Sequence, residues 1–170
     1  VFGLTPRDVA GGATAEEQLA RLILNGAGND RLFGGAGNDF FIADPGADRI
    51  DGGSGTDIVS YDFSTSRVEI NNGVGTGGFA QGDVLTGVEV IIGSDFDDIF
   101  TDNPSALGLA LVAGGKGNDL LFGGGGANEL FGGDGNDQLS GHIGADRLHG
   151  GDGADVFVYD CTYTEAEYPQ

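Results

Sequence analysis

The sequence predicts an all-β solenoid, a chain wound into flattened coils that stack on one another, and three observations carry that reading. A nine-residue pattern occurs nine times, with Gly always fourth and an apolar residue always eighth. Its sixth residue is Asp in every copy but one. Glycine accounts for 35 of the 170 residues, far more than an ordinary packed core tolerates.

The elements follow in chain order. Residues 1–24 read as an N-terminal cap with a short helix in TAEEQLARLILNG. Thr14 and Glu17 form a capping box, Leu19, Leu22 and Ile23 share a face, and Asn25 with Gly26 ends the run. Such a helix would serve as a lid on the open end of the stack. The first repeat block, residues 25–60, holds NGAGNDRLF, GGAGNDFFI, ADPGADRID and GGSGTDIVS, with Leu32, Phe41, Ile50 and Val59 eighth. In each nonamer six turn-forming residues precede a three-residue strand that points one apolar side chain inward. A strand that short buries almost nothing alone, so each unit must stack on its copies. Two nonamers make one coil, and residue i lies over i+18 at about 4.8 Å.

Residues 61–92 break the pattern and read as a linker segment packed on the roll, with VEI and VEVII as strand candidates. The second block, residues 93–158, opens with GSDFDDIFT from Gly93, in which Ser94 and Phe96 replace glycines. After three further residues comes SALGLALVA from Ser105, a degenerate coil with Gly108 and Val112 in register but Ala110 where Asp belongs. Five more copies start at Gly114, Gly123, Gly132, Gly141 and Gly150, with Leu121, Leu130, Leu139, Leu148 and Phe157 eighth. Residues 159–170 form a C-terminal tail expected to cap the last coil. Outward positions include Phe40, Ile42 and Ile58 in the first block and Leu120, Phe122, Val156 and Val158 in the second. Contiguous apolar surface of this kind calls for a cover, and the linker is the expected one.

Charge narrows the function. Lys+Arg 7 against Asp+Glu 27 gives a net charge of -20, which excludes nucleic acid and anionic membrane surfaces as partners and makes a cation the natural complement. Twenty of the acids are Asp, the short carboxylate favoured in turns and oxygen-ligand metal sites. The lone Cys161 cannot form an internal disulfide. His142 and His149 lack the third ligand a zinc site needs, and neither a nucleophile arrangement nor a phosphate loop is present, so no catalytic residue is expected. No window is long and apolar enough for a membrane span, and the first residues lack a signal-peptide core. Beginning at Val1 and stopping in the tail YDCTYTEAEYPQ, the chain is expected to be a piece of a larger protein.

The repeat G-G-x-G-x-D-x-U-x, with U apolar, resembles the RTX (repeats-in-toxin) nonapeptide family, the calcium-binding β-roll of exported bacterial toxins, proteases, lipases and adhesins. The resemblance covers most of residues 25–158 and implies a right-handed parallel β-roll with Ca2+ in its turns. It also implies the ligands: the upper turn gives the carbonyls of its second and fourth residues with its Asp, and the lower turn gives those of its first and third with its own. Carried onto this chain, Gly26, Gly28 and Asp30 meet Ala43, Pro45 and Asp48, while Gly35, Gly37 and Asp39 meet Gly52, Ser54 and Asp57. In the second block Ser94, Phe96 and Asp98 meet Gly114, Lys116 and Asp119, and Gly115, Gly117 and Asp119 meet Gly132, Asp134 and Asp137. Gly133, Gly135 and Asp137 then meet Gly150, Asp152 and Asp155. The sixth set joins Gly124, Gly126 and Asn128 to Gly141, Ile143 and Asp146, and is expected to be weaker because an amide carries no charge.

Elementary electrostatics supports the metal. Stacked aspartates would repel without a cation, and calcium accepts six to eight oxygens in flexible geometry. The expectation is therefore a non-catalytic module that binds about six Ca2+ ions. By resemblance it passes through a type I secretion apparatus and folds outside the bacterial cell. The alternative is a carbohydrate-binding or adhesion module like those of polysaccharide epimerases, with a glycan or cell-surface partner held by the stacked Arg31 and Arg49.

Overall fold

In the computed structural model of the chain, residues 21–24, 26–101 and 111–159 are described. Sixteen short strands occur among them. They are β1 (Arg21–Leu24), β2 (Arg31–Ala36), β3 (Asp39–Ile42), β4 (Arg49–Ser54), β5 (Ile58–Ser60), β6 (Glu69–Asn71), β7 (Val74–Thr76) and β8 (Val84–Thr86). There follow β9 (Val90–Ile92), β10 (Ile99–Thr101), β11 (Leu111–Lys116), β12 (Leu120–Phe122), β13 (Glu129–Asp134), β14 (Gln138–Ser140), β15 (Arg147–Asp152) and β16 (Val156–Phe157). A 3-10 turn at Gly78–Ala80 precedes β8.

Apart from β6, β7 and β8, which follow one another in a single sheet, the strands alternate between two sheets, as nonamer coiling requires. One sheet has seven strands in the order β1-β3-β5-β9-β11-β13-β15, and the other nine in the order β16-β14-β12-β10-β6-β7-β8-β4-β2. Neighbours within each block pair in parallel at a spacing of eighteen, as in Leu32 with Ile50, Phe40 with Ile58 and Leu130 with Leu148. Across residues 102–104 the spacing becomes twenty-one, with Ile99 opposite Leu120, so the insertion leaves the stack in register. Inward eighth-position residues form one continuous core in which Phe41, Ile50, Val59, Phe100, Val112, Leu121, Leu130 and Leu139 are all buried. Phe157 in the final strand is 40% exposed, because the described coils offer it a neighbour on one side only.

Four expectations need correction. Arg21–Leu24 is a strand, not the end of a helix, since pairing Leu22 with Phe40 extends the sheet by one coil and outweighs a weak helical spacing. The rest of the expected helix, residues 14–20, lies outside the described residues, as do residues 105–110 of the degenerate coil and residues 160–170 of the tail. Second, residues 61–92 do not pack on a flank. Strands β8 and β9 occupy positions in the stack itself, and β6 and β7 add an antiparallel hairpin to the nine-stranded sheet. Third, the strands of that segment lie within the sheets rather than over the outward apolar residues. Phe40, Ile58 and Leu120 are half-buried, with Ile58 paired to Phe40 and to Val90 of residues 61–92, while Val156 at the end is 54% exposed. Fourth, β2, β4, β11, β13 and β15 are six residues long, because pairing continues into the glycine turns, as at Gly115 with Gly133.

Candidate metal centres

Both edges of the roll carry a column of acids, and each column is built by the backbone. On one edge the N–H of Asp98 donates to Asp119 Oδ1, that of Asp119 to Asp137 Oδ1 and that of Asp137 to Asp155 Oδ1, at 2.8, 2.8 and 3.0 Å. The same bond joins Asp30 to Asp48 at 2.8 Å. On the opposite edge it joins Asp39 to Asp57 and Asn128 to Asp146, at 2.8 and 2.9 Å. Each carboxylate thus points one oxygen back to the preceding coil.

The second oxygen explains the repeat's first glycine. A Cβ on Gly114 would strike Asp119 Oδ2 and lie 2.7 Å from the Gly132 carbonyl oxygen, and one on Gly132 would strike Asp137 Oδ2 and lie 2.5 Å from the Gly150 carbonyl. Gly34 stands likewise between Asp39 Oδ2 and the Gly52 carbonyl, and Gly93 between Asp98 Oδ2 and the Gly114 carbonyl. The carboxylate's forward oxygen therefore shares a small space with a carbonyl of the next coil, and a side chain there would occupy it. Two oxygens repel in a dry space unless a proton or a cation lies between them, and a cation is what keeps the carboxylate ionised there.

Burial sharpens the point. Asp57, Asp119 and Asp137 are almost fully buried, and the Oδ2 atom of each has no hydrogen-bond donor. Burial is the main cause that pushes Asp119 up to about 7, reinforced by the neighbouring charges of Asp98, Asp137 and Asp97 and opposed by the Asp98 N–H. Asp137 and Asp98 are also raised, again chiefly by burial. Among the described residues no three acidic or imidazole side chains converge on one point. Any ion here is shared by two carboxylates at most and completed by backbone carbonyls, a donor set that suits a hard cation with flexible coordination.

The expected sites are not equivalent. Asp98 already accepts the N–H of Ser94 at 2.6 Å and its hydroxyl at 2.9 Å, because serine replaces the second glycine of that turn. At Asn128 the Oδ1 atom is buried without a donor, as the aspartate oxygens are, while Nδ2 lies 3.4 Å from Asp146 Oδ1. An amide here replaces a repulsion between stacked carboxylates with a weak attraction.

Three features escaped the sequence reading. Fifth-position asparagines form ladders of their own: Asn38 Oδ1 accepts the N–H of Thr56, Asn118 Oδ1 that of Asn136, and Asn136 Oδ1 that of Ala154, each at 2.9 Å. The recurrent GND triplet was the available signal. Asp83, from the segment outside the repeats, takes the place below Asp48 and accepts its N–H at 2.8 Å. The buried Tyr61 hydroxyl donates to Asp83 Oδ2 at 2.9 Å, so a proton donor satisfies an oxygen that has none in Asp57, Asp119 and Asp137. Glu89 accepts the N–H of Asp57 at 2.8 Å, as the next acid in that column.

A family model for the RTX calcium-binding nonapeptide repeat, in four copies, matches residues 24–59, 111–139 and 131–160, about half of the chain. The chain belongs to the RTX calcium-binding repeat family. No curated protein matches it as a close relative. The RTX model ends at residue 59 and resumes at 111, so it passes over the segment in which Asp83, Glu89 and the hairpin lie.

Proposed function

We propose that this chain is a non-catalytic RTX module that folds when calcium enters its turns, as part of a protein exported from a bacterium through a type I secretion apparatus. The observation that carries the proposal is the buried, donorless Oδ2 of Asp57, Asp119 and Asp137, each aimed at a carbonyl of the next coil. Leaving such an oxygen unmet costs roughly 1–3 kcal/mol, and more for a charged group. The six turn pairs would hold about six ions. Asp30, Asp39, Asp98, Asp119, Asn128 and Asp137 face forward in them, and Asp48, Asp57, Asp119, Asp137, Asp146 and Asp155 face back. About six divalent ions would offset most of the net charge of -20. In a calcium-poor cytosol the stacked carboxylates keep the coils apart, and in calcium-rich surroundings ion binding becomes folding free energy.

The test is a calcium titration of the metal-free chain followed by far-ultraviolet circular dichroism. Strand signal should appear with calcium and vanish with chelator, and magnesium should substitute poorly because it demands tight octahedral geometry. Strand signal already complete in chelator would refute the proposal.

A further inference from the structure

The geometry points to an additional calcium site, outside the repeats, where the turn after Gly52 meets the corner Gly87-Val88-Glu89. This inference rests on the calcium-binding reading and extends it to a segment that the nonamer pattern does not reach. Three observations carry it.

First, the corner is in register with a repeat turn although it has half the residues. Asp51 pairs with Thr86 before it and Ile58 with Val90 after it, so Gly87 to Glu89 spans what Gly52 to Asp57 spans in the coil above. The longer side chain of Glu89 bridges the shortfall, and its Oε2 accepts the Asp57 N–H as an aspartate Oδ1 does in the other turns.

Second, the forward oxygen of Asp57 is placed as in the repeat sites. A Cβ on Gly52 would strike the Gly87 carbonyl and lie 2.7 Å from Asp57 Oδ2, the same pairing of carbonyl and carboxylate found at Gly114 and Gly132. At Gly150, in the last turn, the nearest atoms are those of Asp155 alone. Asp57 is therefore not the end of its column: the corner presents it with the oxygen of a next coil.

Third, Asp57 is fully buried and its Oδ2 has no donor. The contrast with Asp83 is informative, because there the Tyr61 hydroxyl meets the corresponding oxygen. Nothing of that kind reaches Asp57 Oδ2. A cation held by Asp57 Oδ2, the Gly87 carbonyl and the Glu89 carboxylate meets the buried Asp57 oxygen and links the first block to the segment that follows it.

The experiment follows calcium bound per chain by equilibrium dialysis across a full titration, for the full chain and for Glu89→Gln, with circular dichroism on the same samples. Glutamine keeps an oxygen for the Asp57 N–H and removes the charge. One ion bound more weakly than in the full chain, with an unchanged spectrum, is the expected result. An unchanged binding isotherm would overturn the site and leave calcium binding by the repeats intact. Loss of several ions together with strand signal would also overturn it, by showing that Glu89 is a structural brace. A parent chain that takes up no calcium would overturn the calcium-binding reading itself, and that outcome is visible before any variant is made.

Discussion

At Asp137 one side chain serves two neighbours. Its Oδ1 holds the Asp119 N–H and its Oδ2 faces the Gly150 carbonyl. Asp137→Ala should therefore damage two ion sites and leave a buried N–H unmet, whereas Asp30→Ala, on the first described turn of its column, touches one. The calcium midpoint of folding should rise more for Asp137→Ala, and equal shifts would show that the columns do not share ions between turns. At Asn128 the direction reverses. Asn128→Asp adds a charge and removes the contact of Nδ2 with Asp146, so calorimetry should find one ion bound more tightly while the metal-free chain loses residual structure. Failure to tighten any site would remove Asn128 from the ligand set.

Among the strands, the antiparallel hairpin is the element whose making differs most from its surroundings. Asn72 and Gly73 both have positive φ, 50° and 76°, which joins β6 to β7 by the two-residue turn favoured between twisted strands. A side chain at Gly73 would pay the left-handed cost of about 1–2 kcal/mol, so Gly73→Ala should lower the melting temperature in saturating calcium. An unchanged melting temperature would mean that the hairpin is not part of the cooperative unit. The Asn-Gly pair was visible in the sequence, but a search in steps of nine passes over a signal two residues long. The same period made the core row and the parallel register legible, including the shift to twenty-one at Ile99 and Leu120. In Arg21–Leu24 the adjacent apolar residues fit a helix face and a strand equally, and only the pairing with Asp39–Ile42 decides between them. Glu89 was missed for another reason: nothing in three residues announces that one extra methylene closes a turn normally built from six.

For the molecule as a whole, acidity and calcium should act in the same direction. Burial raises the folded-state pKa of Asp119 to about 7 and that of Asp83 to about 6, against 3.8 in a free chain. A raised carboxylate contributes stability that is fully present below the unfolded value and is lost as pH rises through the folded value. The metal-free chain should therefore hold more strand structure near pH 4 than near pH 7, and circular dichroism of metal-stripped protein would show it. A metal-free chain equally unfolded at both would mean that burial of these acids is not what holds the coils apart. The wedge formed by β6 and β7 has a consequence of another kind. Two extra strands on one face, at about 4.8 Å each, make that sheet roughly 10 Å longer than its partner. A tube with one wall longer than the other has a curved axis, so the roll should bow toward its seven-stranded face, and X-ray scattering in calcium should give a shorter end-to-end dimension than a straight stack of the same coils would have.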